Sequence, residues 1–261
     1  MTHAHGTRSI LLHLGVGLLA GALSGMFGVG GGTVIVPLLV LLAAYPQRLA
    51  SGTSLAAILP TATVGVISYA LSGDVQWFAG IILAAGAVIG AQGGTWLLPR
   101  VPVRALQLTF AGFLAVVVVS LFLVIPSRGE PFDVTWISGA GLVALGLVTG
   151  VLAGLLGVGG GIVVVPALIL LFGTSDLIAR GTSLLMMIPT AISGTIGNLR
   201  RHNVDLAGAA LVGVAACTTT ALGAWLAKSI DPLTGNIVFA LFLVFIATQL
   251  AVRALRRPKG M

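Results

Sequence analysis

The chain has 261 residues, of which 57% are hydrophobic and only 7% charged, with a mean hydropathy of +1.14. Soluble domains carry about 25% charge, so composition excludes a soluble globule, and at about 20 apolar residues per span the chain has room for roughly ten segments. The pI near 11.1 comes from 13 Lys and Arg set in short clusters between apolar runs, the pattern of membrane topology signals and not of a basic nucleic-acid face.

In chain order, residues 1–9 read as a cytoplasmic polar tail in which Arg8 and the His3-Ala4-His5 pair are solvated. Ile10 to Gly25 has the basic start and apolar run of a signal peptide. The same segment recurs at 139–154, where no signal peptide acts, so it is expected to be retained. Apolar segments follow at about 10–27, 33–45, 54–71, 77–98 and 105–125, then at about 134–156, 162–172, 183–199, 206–227 and 234–251. The second segment of each set is too short for an upright span and reads as a limb of a tilted or re-entrant hairpin. Cys217 lies alone inside an apolar run and is expected to pack.

The two sets are one unit written twice. Residues 25–37 read GMFGVGGGTVIVP and residues 154–166 read GLLGVGGGIVVVP, 129 positions apart without a gap. From Gly21/Gly150 to Ala62/Ala191, 22 of 42 pairs are identical, and the register holds through Gly94/Gly223, Trp96/Trp225 and Phe110/Phe239. This divides the chain into a first repeat (10–125), an external linker (126–133), a second repeat (134–251) and a basic cytoplasmic tail (252–261). If every segment reverses the chain from a cytoplasmic N-terminus, ten basic residues fall inside and three (Arg128, Arg180, Lys228) outside, as the positive-inside rule requires. Five reversals per copy is odd, so the second copy lies upside down. The expected fold is an all-α polytopic membrane protein of two inverted five-segment repeats, about ten helices in all, with a site near the midplane between them.

The glycine runs lack the last glycine of a dinucleotide fingerprint and the lysine of a P-loop. One reading is close packing at a hairpin tip. The other is that Gly28, Gly30, Gly31 and Gly32, with Gly157, Gly159, Gly160 and Gly161, bare amides at helix starts, where the partial positive charge favours an anion. On that reading Gly31→Ala and Gly160→Ala keep a near-normal melting temperature and lose only the protection that substrate gives. Thr53, Ser54, Thr182 and Ser183 stand at the starts of the third segments, where they read as N-caps whose hydroxyls also reach the substrate. Asn198 is a further candidate at the end of its segment. Pro37, Pro60, Pro166 and Pro189 predict helix breaks, with Thr61 and Thr190 placed to meet a freed group. Gln92 is expected to face a neighbouring helix. All six acidic residues fall in loops or at segment ends, and with no carboxylate or histidine noted inside a span, tight ion coupling is not expected. No metal-ligand spacing or nucleophile–base pair appears, so neither an enzyme nor a cofactor is expected.

GxFGVGGGxxxVP, ASGTSLxxxxPT in the first copy, and RGTSLLMMIPT and NVD in the second resemble the TauE/SafE-type sulfite exporter family, the toluene-sulfonate uptake permease group, over nearly the whole chain. The resemblance implies a multi-pass carrier of the bacterial inner membrane for sulfite, sulfonates or related anions such as sulfoacetate. The family pattern often has a histidine before the loop after the third segment. Here only the second copy has one, His202, and the first has Tyr69 to Asp74. The expected partners are the anion and the bilayer, a homodimer is compatible with the chain, and nucleic acid is excluded. The alternatives are a non-transporting membrane subunit and an uptake carrier for another solute or a metal ion, which the missing ligands disfavour.

Overall fold

The computed structural model describes residues 7–123 and 135–256, and among them every regular element is an α-helix. In order these are α1 (Thr7–Phe27), α2 (Gly32–Leu41), α3 (Gln47–Ala70), α4 (Trp77–Leu97), α5 (Val103–Leu123), α6 (Trp136–Leu156), α7 (Gly161–Phe172), α8 (Asp176–Leu199), α9 (Leu206–Ser229) and α10 (Pro232–Arg256). Helices α1, α3, α4, α6, α8 and α9 are long and apolar enough to cross a membrane. With 10 and 12 residues, α2 and α7 reach only about 15–18 Å, roughly half the hydrocarbon thickness. The expected linker and the outer parts of both tails lie outside the described residues.

Glycine rows set how the helices meet. Apolar side chains gain little by leaving lipid for one another, so close backbone approach drives packing in membranes. Gly17, Gly21 and Gly25 of α1 lie against Val212, Ala216 and Thr220 of α9, and a Cβ at any of the three would overlap a carbonyl oxygen. Gly86, Gly90 and Gly94 of α4 meet Val143, Leu147 and Val151 of α6, while Gly146, Gly150 and Gly154 return the contact onto Leu83, Ala87 and Ala91. Both rows ascend together, so α1 runs parallel to α9 and α4 parallel to α6. A shift of 129 residues turns one seam into the other.

Helices α3 and α8 occupy the centre. Gly52 lies against Asn198, Gly65 against Leu184 and Gly194 against Leu55, a descending register that makes them antiparallel. Leu55, Ile58, Leu184, Met186 and Met187 are fully enclosed there. Gly65 meets Thr220 and Gly213 meets Ala57 and Pro60, so α3 runs with α9; Gly80 meets Leu185 and Gly197 meets Thr95, so α8 runs with α4. Gln92 donates from Nε2 to the carbonyl and hydroxyl of Ser193 on α8, at 2.8 and 2.9 Å, the helix-to-helix contact expected of it.

The four prolines do not break their helices. Pro37 and Pro166 lie inside α2 and α7, and Pro60 and Pro189 inside the uninterrupted 24-residue α3 and α8. Each removes one intrahelical bond, and the helix continues through it. Thr61 and Thr190 turn back onto the carbonyls of Ala57 and Met186 at 2.9 and 2.7 Å. They do not reach the carbonyls the prolines leave without a donor, those of Ala56 and Leu185.

Candidate functional site

Each glycine run makes a turn between α1 and α2, or between α6 and α7. Gly28, Gly30 and Gly31 hold φ of 68°, 71° and 73°, and Gly157, Gly159 and Gly160 hold 76°, 78° and 91°. That region costs an L side chain about 1–2 kcal/mol, which is why three glycines recur at these places. The fourth is glycine for space. A Cβ on Gly32 would sit 2.6 Å from the Gly157 oxygen and 2.7 Å from Val158 Cα, and one on Gly161 would sit 2.6 Å from the Gly28 oxygen. The two runs therefore touch tip to tip. Ile58 and Met187, related by the 129-residue shift, fill the contact and are fully enclosed. Each is the twelfth of the 24 residues of its helix, α3 or α8.

The N–H groups of Gly28 and Gly157 close onto Ser24 and Ala153, both at 2.8 Å. Among the described residues, those of Gly30 to Thr33 and of Gly159 to Ile162 meet no acceptor. Gly31 and Gly160 are the N-caps of α2 and α7 and offer no side chain, so the positive ends of both helices stay uncompensated. The Thr33 hydroxyl, on the second residue of α2, is fully enclosed and also lacks a partner. Buried donors are nearly always paired in folded proteins. The arrangement suits a ligand that only accepts.

The Gly-Thr-Ser triplets are not N-caps. Helix α3 starts at Gln47 and α8 at Asp176, with Ser175 as cap, its hydroxyl accepting from Ile178 at 3.2 Å. The triplets lie in the second turn and lock the copies together. Gly52 and Gly181 admit the carbonyls of Asn203 and Asp74 from the other copy's loop. Thr53 and Thr182 accept from the N–H of Asp205 and of Gln76, each at 3.0 Å. Ser54 donates to the Gly157 carbonyl at 2.7 Å, and Ser183 to that of Gly28 at 3.0 Å. Ser54 and Ser183 thus spend their hydrogens on tip carbonyls, while Thr53 and Thr182 only accept in these bonds. Asn198 is fully buried beside Gly52, with Nδ2 bonded to the Gly194 carbonyl at 3.0 Å and Oδ1 unpartnered.

Charge also enters where the sequence reading placed none. Arg180, expected in an outer loop, lies in α8 against the first tip and is 6% exposed. Its Nη2 is 3.2 Å from Asp176 Oδ2, and its Nη1 donates to the Met26 carbonyl at 2.7 Å. The Asp176/Arg180 spacing of four is the available signal, and a segment start at Ser183 hides it. His13, enclosed on α1, overturns the expectation of a span without histidine. In the loop after α3, burial pushes the Asp74 carboxyl above its usual range by more than Lys228, 3.9 Å away, pulls it down. Among the described residues no His, Cys, Asp or Glu group is gathered to hold a metal ion.

Comparison with known proteins places this architecture. Residues 142–261 match the family described as Sulfite exporter TauE/SafE. The probable membrane transporter protein YdhB of Bacillus subtilis is 30% identical over 72% of this chain and 78% of its own length. The chain belongs to the TauE/SafE family. The probable membrane transporter protein YunE of Bacillus subtilis is 27% identical over 93% of this chain and 97% of its own length, and one from Xylella fastidiosa strain 9a5c is 29% identical over 95% and 97%. Similarity to these relatives thus extends across both copies, while the family match itself falls on the second.

Proposed function

We propose that this chain is a secondary carrier of the bacterial inner membrane that exports a small sulfur oxyanion, sulfite or a sulfonate, through a site between two inverted repeats. The observation that carries the reading is the meeting of two glycine tips, one from each copy, whose amides find no acceptor. A tetrahedral or pyramidal oxyanion supplies several acceptors and a charge that two helix N-termini favour. Arg180 adds positive charge beside the first tip, offset by Asp176. The contact lies halfway along α3 and α8, the depth expected of a carrier site.

Inversion is supported by the helix registers. α1, α3 and α9 run one way and α4, α6 and α8 the other, so each of α1, α3 and α4 opposes its 129-residue mate. With the N-terminus cytoplasmic, both ends of the chain fall on the cytoplasmic side. Ile58 and Met187 close the contact in this conformation, so their displacement opens the tips. An inside-negative potential drives anion exit by about 2.3 kcal/mol per charge per 100 mV.

The test is efflux from proteoliposomes loaded with sulfite, methanesulfonate or sulfoacetate under an inside-negative potential. The carrier is expected to release at least one of them faster than protein-free vesicles. Equal rates for all three would end the anion-export reading.

A further inference from the structure

His13 sits where a proton is counted. It lies two turns into α1 with 1% of its surface exposed. Its Nδ1 is 2.6 Å from the Ser9 carbonyl, and its Nε2 is 3.0 Å from the Tyr45 hydroxyl. Tyr45, in the loop between α2 and α3, donates to Asp205 Oδ2 at 2.5 Å. The other carboxylate oxygen of Asp205 caps α9 by accepting from Ala207 and Gly208, each at 3.1 Å. The place is shaped for this: a Cβ on Gly208 would stand 2.9 Å from the Tyr45 oxygen and 2.8 Å from Asp205 Oδ2.

A carbonyl only accepts, so Nδ1 carries a hydrogen. The single Tyr45 hydrogen goes to Asp205, so Nε2 must also carry one. All three bonds are made when imidazolium faces carboxylate. In that form the trio holds one proton more than neutral His13 with ionised Asp205. Remove it, and the Tyr45 hydroxyl faces two acceptors with one hydrogen, so one bond is lost. Burial, then the Asp205 bond and its charge, push the Tyr45 phenol well above its usual value, so it relays and does not itself ionise.

We propose that His13, Tyr45 and Asp205 form a single-proton site that latches the carrier from one side of the membrane. The latch reaches the glycine tips through the backbone. The N–H of Asp205 donates to Thr53, and the neighbouring Ser54 donates to the Gly157 carbonyl. Protonated, the trio ties α1, the α2–α3 loop and the start of α9 to that strap; deprotonated, it slackens. The inverted copy has no equivalent, since Leu142, Thr174 and Gln76 stand at the matching places. Other charged groups on the packed elements make contacts of their own. Arg48 of α3 donates to the carbonyls of Pro99 and Val101, Arg201 before α9 to that of Gly197, and Lys228 at the far end of α9 pairs with Asp74. Arg8 is the second residue of α1, and Cys217 lies mid-way along α9.

The gating rests on the carrier reading, so the test has one arm that needs no transport. In lipid nanodiscs, ¹⁵N-histidine spectra of the whole chain, assigned with His13→Gln, should show both ring nitrogens of His13 protonated, a state that Tyr45→Phe abolishes. A neutral His13 ring in the wild-type chain, or a doubly protonated one that Tyr45→Phe leaves unchanged, overturns the site. In proteoliposomes, methanesulfonate is the probe because it does not titrate. Its efflux should rise about fivefold, the equivalent of one hydrogen bond, as pH on the N-terminal side goes from about 5 to 8. Tyr45→Phe and His13→Gln should flatten that profile. A profile that keeps its slope in Tyr45→Phe refutes the latch, and no efflux at any pH refutes the carrier reading while the spectra still decide the site.

Discussion

Against Gly28, at the first tip, the crossing helix presents Arg180; against Gly157, at the second, the same position of the other copy holds Ser51. Asp176, which pairs with that arginine, is matched by Gln47. What encloses each tip from below is nevertheless the same, with Ser183 on Gly28 and Ser54 on Gly157. The duplicated residues are those the backbone needs, namely positive-φ glycines and hydroxyls on tip carbonyls. The residues that differ set charge. The two tips thus share a symmetric backbone and differ in charge, with the Arg180–Asp176 pair at the first and the His13–Tyr45–Asp205 chain joined through Thr53 to the strap of the second.

The largest expected effect breaks this asymmetry. Arg180→Met leaves the Asp176 carboxylate enclosed without its partner, a change that costs about 3–5 kcal/mol, whereas Ser51→Ala removes one bond to the Leu156 carbonyl and costs about 1 kcal/mol. Thermal unfolding in detergent should rank them so. The double variant Arg180→Met/Asp176→Leu should regain most of the stability, and if Arg180 also charges the site it should do so without regaining transport.

A middle-sized effect probes the shared cradle. Gly32→Ala and Gly161→Ala drive a methyl into the opposite tip, overpacking worth about 1–3 kcal/mol, and should lower the melting temperature and abolish efflux together. Gly31→Ala and Gly160→Ala meet no such overlap but inherit φ of 73° and 91°, a strain of about 1–2 kcal/mol. The expectation of near-normal melting at these two positions is therefore corrected. The smallest effect is a control: Gly15, inside α1 with nothing within 4 Å of a Cβ, should gain up to about 1 kcal/mol on Gly15→Ala.

Much of this was legible before any coordinates. The repeat, the short second helices and the contact of Gln92 with a neighbouring helix follow from apolar run lengths and an aligned motif, which are strong signals. Helix starts were not, because residues 47–53 and 176–182 are polar enough to read as loop, yet they are helical and enclosed by the other copy. A helix start placed after these residues hides the Asp176–Arg180 pair and makes the Gly-Thr-Ser triplets look like caps. His13 was overlooked in an apolar run, and its partners, Tyr45 and Asp205, lie 32 and 192 residues further along the chain, a proximity only the fold supplies. The prolines misled because the loss of one intrahelical bond does not end a helix of 24 residues.

The central claim is that the amides of the two tips hold the anion. Selenite shares the shape and charge class of sulfite and scatters X-rays anomalously, so crystals of the full chain soaked in it locate the site directly. The account predicts an anomalous peak between the tips, within hydrogen-bond distance of the N–H groups of Gly30 to Thr33 or Gly159 to Ile162, with Ile58 and Met187 displaced. A peak confined to the basic loops, or none between the tips at concentrations that saturate efflux, would contradict it.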